Sequence, residues 1–201
     1  PPGIDEKFSP SGEKSATPLV VAVGRLMPSK RFDDLIASLS DVRRLVPNVE
    51  LVIVGDGYER PALNEQIVAL GAQSWIRLAG RVSDDELLSL YRRAWLVASA
   101  SIAEGWGMTL TEAAGCGTPA VATDIAGHRD SVAPGRSGLL ARSGPDFTSA
   151  LTAVLTDEHL RQKLSMGALA HAATLTWTAT ALGTFAPLAE DALRRKRRFR
   201  S

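Results

Sequence analysis

The chain is 201 residues long and 45% hydrophobic, enough to bury a core in one domain without calling for a second. Its 23 Lys and Arg against 22 Asp and Glu give a net charge of +1, but six of those cations lie in the tail 194–200; taking them away leaves 17 against 22. The body is therefore mildly acidic, which argues against nucleic acid as a partner.

In chain order, residues 1–18 hold Pro1, Pro2, Pro10 and Pro18 among Gly, Ser, Lys and Glu and read as a linker. Short apolar runs follow at 19–23, 50–54, 75–79, 95–99, 119–123 and 138–141, each ending near Gly or a polar residue, the pattern of strands buried on both faces. Helical patterns fall between them at 31–46, 59–70, 84–93, 109–115 and 127–132, and a longer helical stretch fills 146–195. Strand alternating with helix predicts an α/β domain with a doubly wound parallel sheet of about six strands. The domain spans 19–175, with a final helix and basic tail over 176–201. Ser83-Asp84-Asp85-Glu86 matches a capping box, and Thr109 with Glu112 matches another.

Cys116 is the only cysteine, which excludes an internal disulfide and fits a reducing, cytoplasmic setting. Between Gly115 and Gly117 it reads as a small packed residue. No apolar run nears the ~18 residues of a membrane span, and the N-terminus lacks a signal-peptide pattern. The tail cations Arg194, Arg195, Lys196, Arg197, Arg198 and Arg200 are either a solvated run or a peripheral contact for an anionic membrane surface.

In an open parallel sheet, ligands lie beyond the carboxyl ends of the strands, and four glycine-bearing turns fall there. The first, Gly24 to Lys30, places Arg25 and Lys30 over the crevice, where two cations suit a diphosphate without a metal; the alternative is local pairing with Asp33 or Asp34. The second is Gly55-Asp56-Gly57, a close backbone approach or an ordinary turn. At the third, Gly80-Arg81-Val82-Ser83, backbone groups read a flat base while Val82 packs on it, although the capping box explains Ser83 without a ligand. The fourth runs Glu104-Gly105-Trp106-Gly107-Met108-Thr109 to Glu112. It opens a helix whose first amides, at Gly107, Met108 and Thr109, face an anion, with Glu104 and Glu112 placed to hold sugar hydroxyls. His128 either borders this pocket or is a surface residue at a helix start. No His, Cys or carboxylate spacing matches a metal site, no nucleophile elbow occurs, and no Gly-x-Gly-x-x-Gly follows the first strand.

Together these motifs resemble the retaining glycosyltransferases of family four, the group 1 type with the GT-B fold. They are Val23-Gly24-Arg25-Leu26 with Lys30, Ile53 to Gly57, Gly80 to Ser83, Glu104 to Ala113, and Cys116-Gly117-Thr118-Pro119, and they agree in order and spacing over about residues 3–180. The resemblance implies a Rossmann-like, C-terminal donor-binding domain. In it Arg25 and Lys30 hold the diphosphate of a nucleotide sugar, Glu112 holds the ribose, Glu104 touches the transferred sugar, and residues 105–109 supply phosphate-binding amides. It implies no cofactor and no metal, and an acceptor-binding N-terminal half outside this chain, without which transfer is not expected. Trp106 stands where Phe is commoner, Ala126-Gly127 replaces a double glycine, and Asp130 replaces Glu. Part of the last helix, including Leu182, Phe185 and Leu188, then lacks its partner. A non-catalytic nucleotide-sugar-binding or regulatory module is the alternative reading.

Overall fold

Side chains alternate across a strand with period two, and in a sheet covered on both sides this divides every central strand between two cores. A computed structural model, describing residues 1–185, shows that division. Val20, Ala22, Leu51, Ile53, Leu96 and Ala98 face one apolar cluster, and Leu19, Val21, Val52, Val54 and Val97 face another. The first cluster is closed by α1 (Phe32–Val42), α2 (Arg60–Ala69) and α6 (Pro145–Thr156), the second by α3 (Asp84–Arg93) and α4 (Met108–Gly115). Burial of whole side chains such as Leu39, Leu51 and Leu151 in the first layer and Leu110 in the second contributes roughly 1.5–3 kcal/mol apiece.

The six strands are β1 (Leu19–Val23), β2 (Glu50–Val54), β3 (Ile76–Gly80), β4 (Leu96–Ser99), β5 (Ala120–Thr123) and β6 (Gly138–Ala141). All pairs are parallel, in the order β3-β2-β1-β4-β5-β6. β1 pairs with β2 from Leu19↔Glu50 to Val23↔Val54 and with β4 at Val20↔Leu96. The order reverses between β1 and β4, so the loops after these two strands part and leave a crevice at their carboxyl ends. The edge strands β3 and β6 are less buried than the four central ones.

The loop after β2 is laid against the loop after β1: Gly24 N donates to Val54 O at 3.0 Å and Leu26 N to Asp56 O at 3.0 Å. Gly55 makes this approach, with φ +127 and a Cβ direction that would bring a carbon within 2.0 Å of Gly24 O. Only a residue without a side chain fits there.

The expected long helix over 146–195 is not continuous. It breaks at Asp157, whose extended backbone ends α6 and whose carboxylate accepts from Leu160 N at 2.9 Å to start α7 (Glu158–Ala172). A second break precedes 177–185, where Thr176 Oγ1 accepts from Ala179 N at 3.0 Å. Both breaks are capping side chains competing with the helix for backbone donors. Leu188 and the basic tail lie outside the described residues. Residues 1–18 form neither strand nor helix but are bonded to the domain, Ile4 N to Leu175 O at 2.8 Å, Ser9 O to Arg92 Nε at 2.8 Å and Ser15 O to Trp95 Nε1 at 2.7 Å. Among the described residues no helix is long and apolar enough to cross a membrane.

Candidate functional site

The four glycine turns end at one edge of the sheet because their strands are parallel. Gly24, Arg25, Gly55, Asp56, Arg81 and Val82 line a cleft of about 280 Å³ there. A comparable cavity of about 320 Å³, lined by Lys14, Trp95, Pro119 and Arg161, sits at the amino ends of β4 and β5. It is remote from every one of these turns and from the edge where open α/β sheets bind ligands.

Beside the first cleft, across the switch point, Lys30 Nζ donates a short hydrogen bond to Glu104 Oε1, both side chains being largely buried. Ser101 Oγ donates to the same carboxylate oxygen at 2.8 Å. Lys30 therefore does not pair with Asp33 or Asp34. Those carboxylates hold Arg31, Asp33 in a two-point fork at 3.0 Å and Asp34 at 2.6 Å. Arg25 is exposed and, among the described residues, has no carboxylate within ion-pair distance.

Gly107 is the N-cap of α4, with φ +96, a left-handed conformation that glycine adopts without strain. Helix geometry leaves the first amides without intrahelical acceptors, and the N–H groups of Gly107, Met108 and Thr109 donate to no protein acceptor among the described residues. Gly105 has open space on its side-chain side. The Trp106 indole N–H is buried with no hydrogen-bond partner.

The expected capping box of Thr109 and Glu112 is absent. Gly107 already occupies the cap, so Thr109 lies inside the helix and no side chain caps it. Glu112 instead accepts from the Tyr91 hydroxyl at 3.0 Å. Burial raises the Glu112 pKa above the ordinary carboxylate value, the Tyr91 bond and Lys7 opposing it. Tyr91 is raised well above the usual phenol value, first by burial and then by the Glu112 charge. The capping box at α3 does form on the Ser83 side, which accepts from Glu86 N at 3.2 Å, while the Glu86 carboxylate turns to Arg77 at 3.9 Å.

His128 is fully buried in α5 (Ala126–Ser131), which removes the surface reading. Its Nδ1 donates to Thr123 O at 2.8 Å and its Nε2 lies 3.1 Å from Ser99 Oγ. Burial lowers its pKa; the Thr123 carbonyl and Glu104 oppose that, and Lys30 adds to it. The structure thus gathers Gly24, Arg25, Gly55, Arg81 and Val82 in the cleft and joins Lys30 to Glu104. It leaves Glu112 bonded to Tyr91, apart from that pair. Tyr91, Ser99, Ser101 and Thr123 carried no local sequence signal: each reads as an ordinary core or strand-end residue until the sheet brings it beside its partner. Cys116 is buried and free, its thiol pushed up to about 11 by burial. Among the described residues no three His, Cys, Asp or Glu side chains cluster as metal ligands.

This arrangement of turns coincides with a known pattern, since a family model described as glycosyl transferases group 1 matches residues 3–170. The chain belongs to that family. It is 33% identical to a D-inositol 3-phosphate glycosyltransferase of Stackebrandtia nassauensis, over 98% of this chain and 49% of the relative. The group 1 chain therefore spans about half the length of the curated relatives it matches. A crystal structure of Anabaena HepE in complex with UDP and glucose superposes with a TM-score of 0.80 at 24% identity, over 94% of this chain and 55% of that one. The C-terminal domain of a group 1 glycosyl transferase from Francisella tularensis matches with a TM-score of 0.76 at 19% identity, over 86% of this chain and 97% of that one. The doubly wound sheet is accordingly that of a GT-B glycosyltransferase domain.

Proposed function

We propose that this chain is the donor-binding half of a retaining glycosyltransferase, which takes a nucleoside-diphosphate sugar and works with an acceptor-binding half outside these 201 residues. The observation that carries the reading is the meeting of Lys30 and Glu104 across the β1/β4 switch point, beside a helix terminus with free amides. A diphosphate needs cations and N–H donors, a sugar needs hydrogen-bond acceptors, and here the two kinds of group lie side by side. Arg25, Lys30 and the amides at Gly107, Met108 and Thr109 stabilise the negative charge that grows on the leaving diphosphate. Glu104 orients the transferred sugar, Glu112 accepts from the ribose hydroxyls, and Gly105 and Trp106 shape the phosphate turn. The cleft of Gly24, Gly55, Arg81 and Val82 takes the base, whose edge is read by backbone groups. Cations and amides carry the charge in this scheme, so no metal is called on. The buried Cys116 is compatible with work in a reducing cytoplasm. Support comes from the relatives named D-inositol 3-phosphate glycosyltransferase and from HepE, solved with UDP and glucose.

Titration calorimetry with UDP, GDP, ADP and their sugar derivatives tests the reading. One nucleotide series should bind, equally well with and without a chelator. Arg25→Ala and Glu112→Ala should each weaken it about 10-fold or more, the cost of a charge-assisted hydrogen bond. Failure of every nucleotide to bind, or unchanged binding in both variants, removes the proposal.

A further inference from the structure

Glu104 does not stand alone on its loop. Ser101 Oγ donates to its carboxylate at 2.8 Å, Ser99 Oγ lies 3.2 Å from Ser101 Oγ, and His128 Nε2 lies 3.1 Å from Ser99 Oγ. His128 Nδ1 is tied to Thr123 O at 2.8 Å, and the Thr123 hydroxyl donates to Ser101 O. A carbonyl only accepts, so Nδ1 must carry the proton. In the neutral ring Nε2 is then an acceptor, and the single Ser99 hydroxyl proton stands between it and Ser101 Oγ, to which Ser99 donates at 3.2 Å. The link from the ring to Ser101 runs through Thr123, whose Oγ1 lies 3.2 Å from the protonated Nδ1, accepts from it and gives its own proton to Ser101 O; Ser101 in turn donates to Glu104. The same imidazole packs under the phosphate turn: a Cβ placed on Gly107 would meet His128 Cδ2 at 3.4 Å. One buried ring therefore bears on both the direction of the carboxylate and the floor of the α4 terminus.

We propose that His128, acting through Thr123 and Ser101, is a positioning residue for Glu104, helping to fix its carboxylate for a sugar hydroxyl. The inference rests on the donor-binding reading given above. A fully buried imidazole whose two nitrogens are both engaged is rigid, and a site held on rigid side chains keeps its geometry when ligand arrives. Lys30 holds the same carboxylate oxygen, and without the Thr123 tie the Ser101 hydroxyl would be free to leave it.

The test compares binding of a nucleoside diphosphate with that of its sugar derivative, using UDP with UDP-glucose and UDP-N-acetylglucosamine, or GDP with GDP-mannose if guanine is the base selected. Ligand-free crystal structures of the same variants accompany it. His128→Leu and Thr123→Val should each lower the ratio of nucleotide-sugar to bare-diphosphate affinity several-fold, whatever their effect on the diphosphate itself, and their Glu104 carboxylate should leave its single pose. His128→Asn, whose amide N–H can again donate to Thr123, should recover part of the loss. A lowered melting temperature with Glu104 unmoved and the sugar-to-diphosphate affinity ratio unchanged would mean that His128 only packs, and overturns the proposal. Glu104→Ala separates the two readings. If it leaves that ratio intact, the sugar role of Glu104 fails, and the variant structures alone decide whether His128 positions the carboxylate.

Discussion

The carboxyl of Glu112 sits half-buried beneath the Tyr91 hydroxyl, and burial works against its charge more strongly than that single bond relieves it. Its folded pKa is raised, so the native state holds the proton more tightly than the unfolded chain. Stability linked to this group is therefore lost as pH rises from the unfolded value of 4.5 through the folded pKa, and the penalty is full above it. In urea melts between pH 4 and 7, Glu112→Gln should gain on the wild type as pH rises and then hold level. A difference constant with pH would contradict the assignment. The variant is expected to be the more stable protein and the poorer nucleotide binder, the pattern of a residue kept for its ligand. Glu112 and Glu104 stood out in sequence because two carboxylates flank a glycine turn. The partner of Glu104 did not, since Lys30 is 74 positions away and far nearer in sequence to Asp33 and Asp34. Arg31 takes those two, a choice decided by the left-handed backbone of Arg31, φ +49, which no composition rule announces.

Among the elements, strands were legible because short continuous apolar runs end near Gly or polar residues, and all six appear within a residue of their expected ends. The helices after 145 were not, because Ala-rich, evenly mixed sequence carries no period strong enough to reveal where a single side chain interrupts it. Asp157 serves two helices at once. Asp157→Ala should cost about 1 kcal/mol in thermal unfolding, more if both ends loosen; no loss would mean the break is set by tertiary packing. Gly55 is more demanding. Gly55→Ala sets a methyl group against the Gly24 carbonyl and strains a positive φ, so a loss of roughly 3 kcal/mol and abolished nucleotide binding are expected in denaturant melts and calorimetry.

For the whole molecule, the parallel sheet brings Gly24, Arg25, Gly55, Arg81 and Val82 to one edge, around an open cleft. Trp177, Leu182 and Phe185 on the last described helix are 60%, 66% and 70% exposed, and the chain spans about half the length of its curated relatives. If acceptor binding belongs to a half outside these residues, as proposed, the purified 201-residue chain should take up the nucleotide sugar but transfer no sugar to any acceptor; robust transfer would show that a complete active site is built here. The ion pair between Lys30 and Glu104 adds a rule of entry. Any anion reaching Lys30 must displace a carboxylate already seated there, and that carboxylate is left to repel it unless the same ligand also offers a hydroxyl. Free phosphate meets a lock with its own key inside; a molecule carrying phosphate and sugar together exchanges one partner for two.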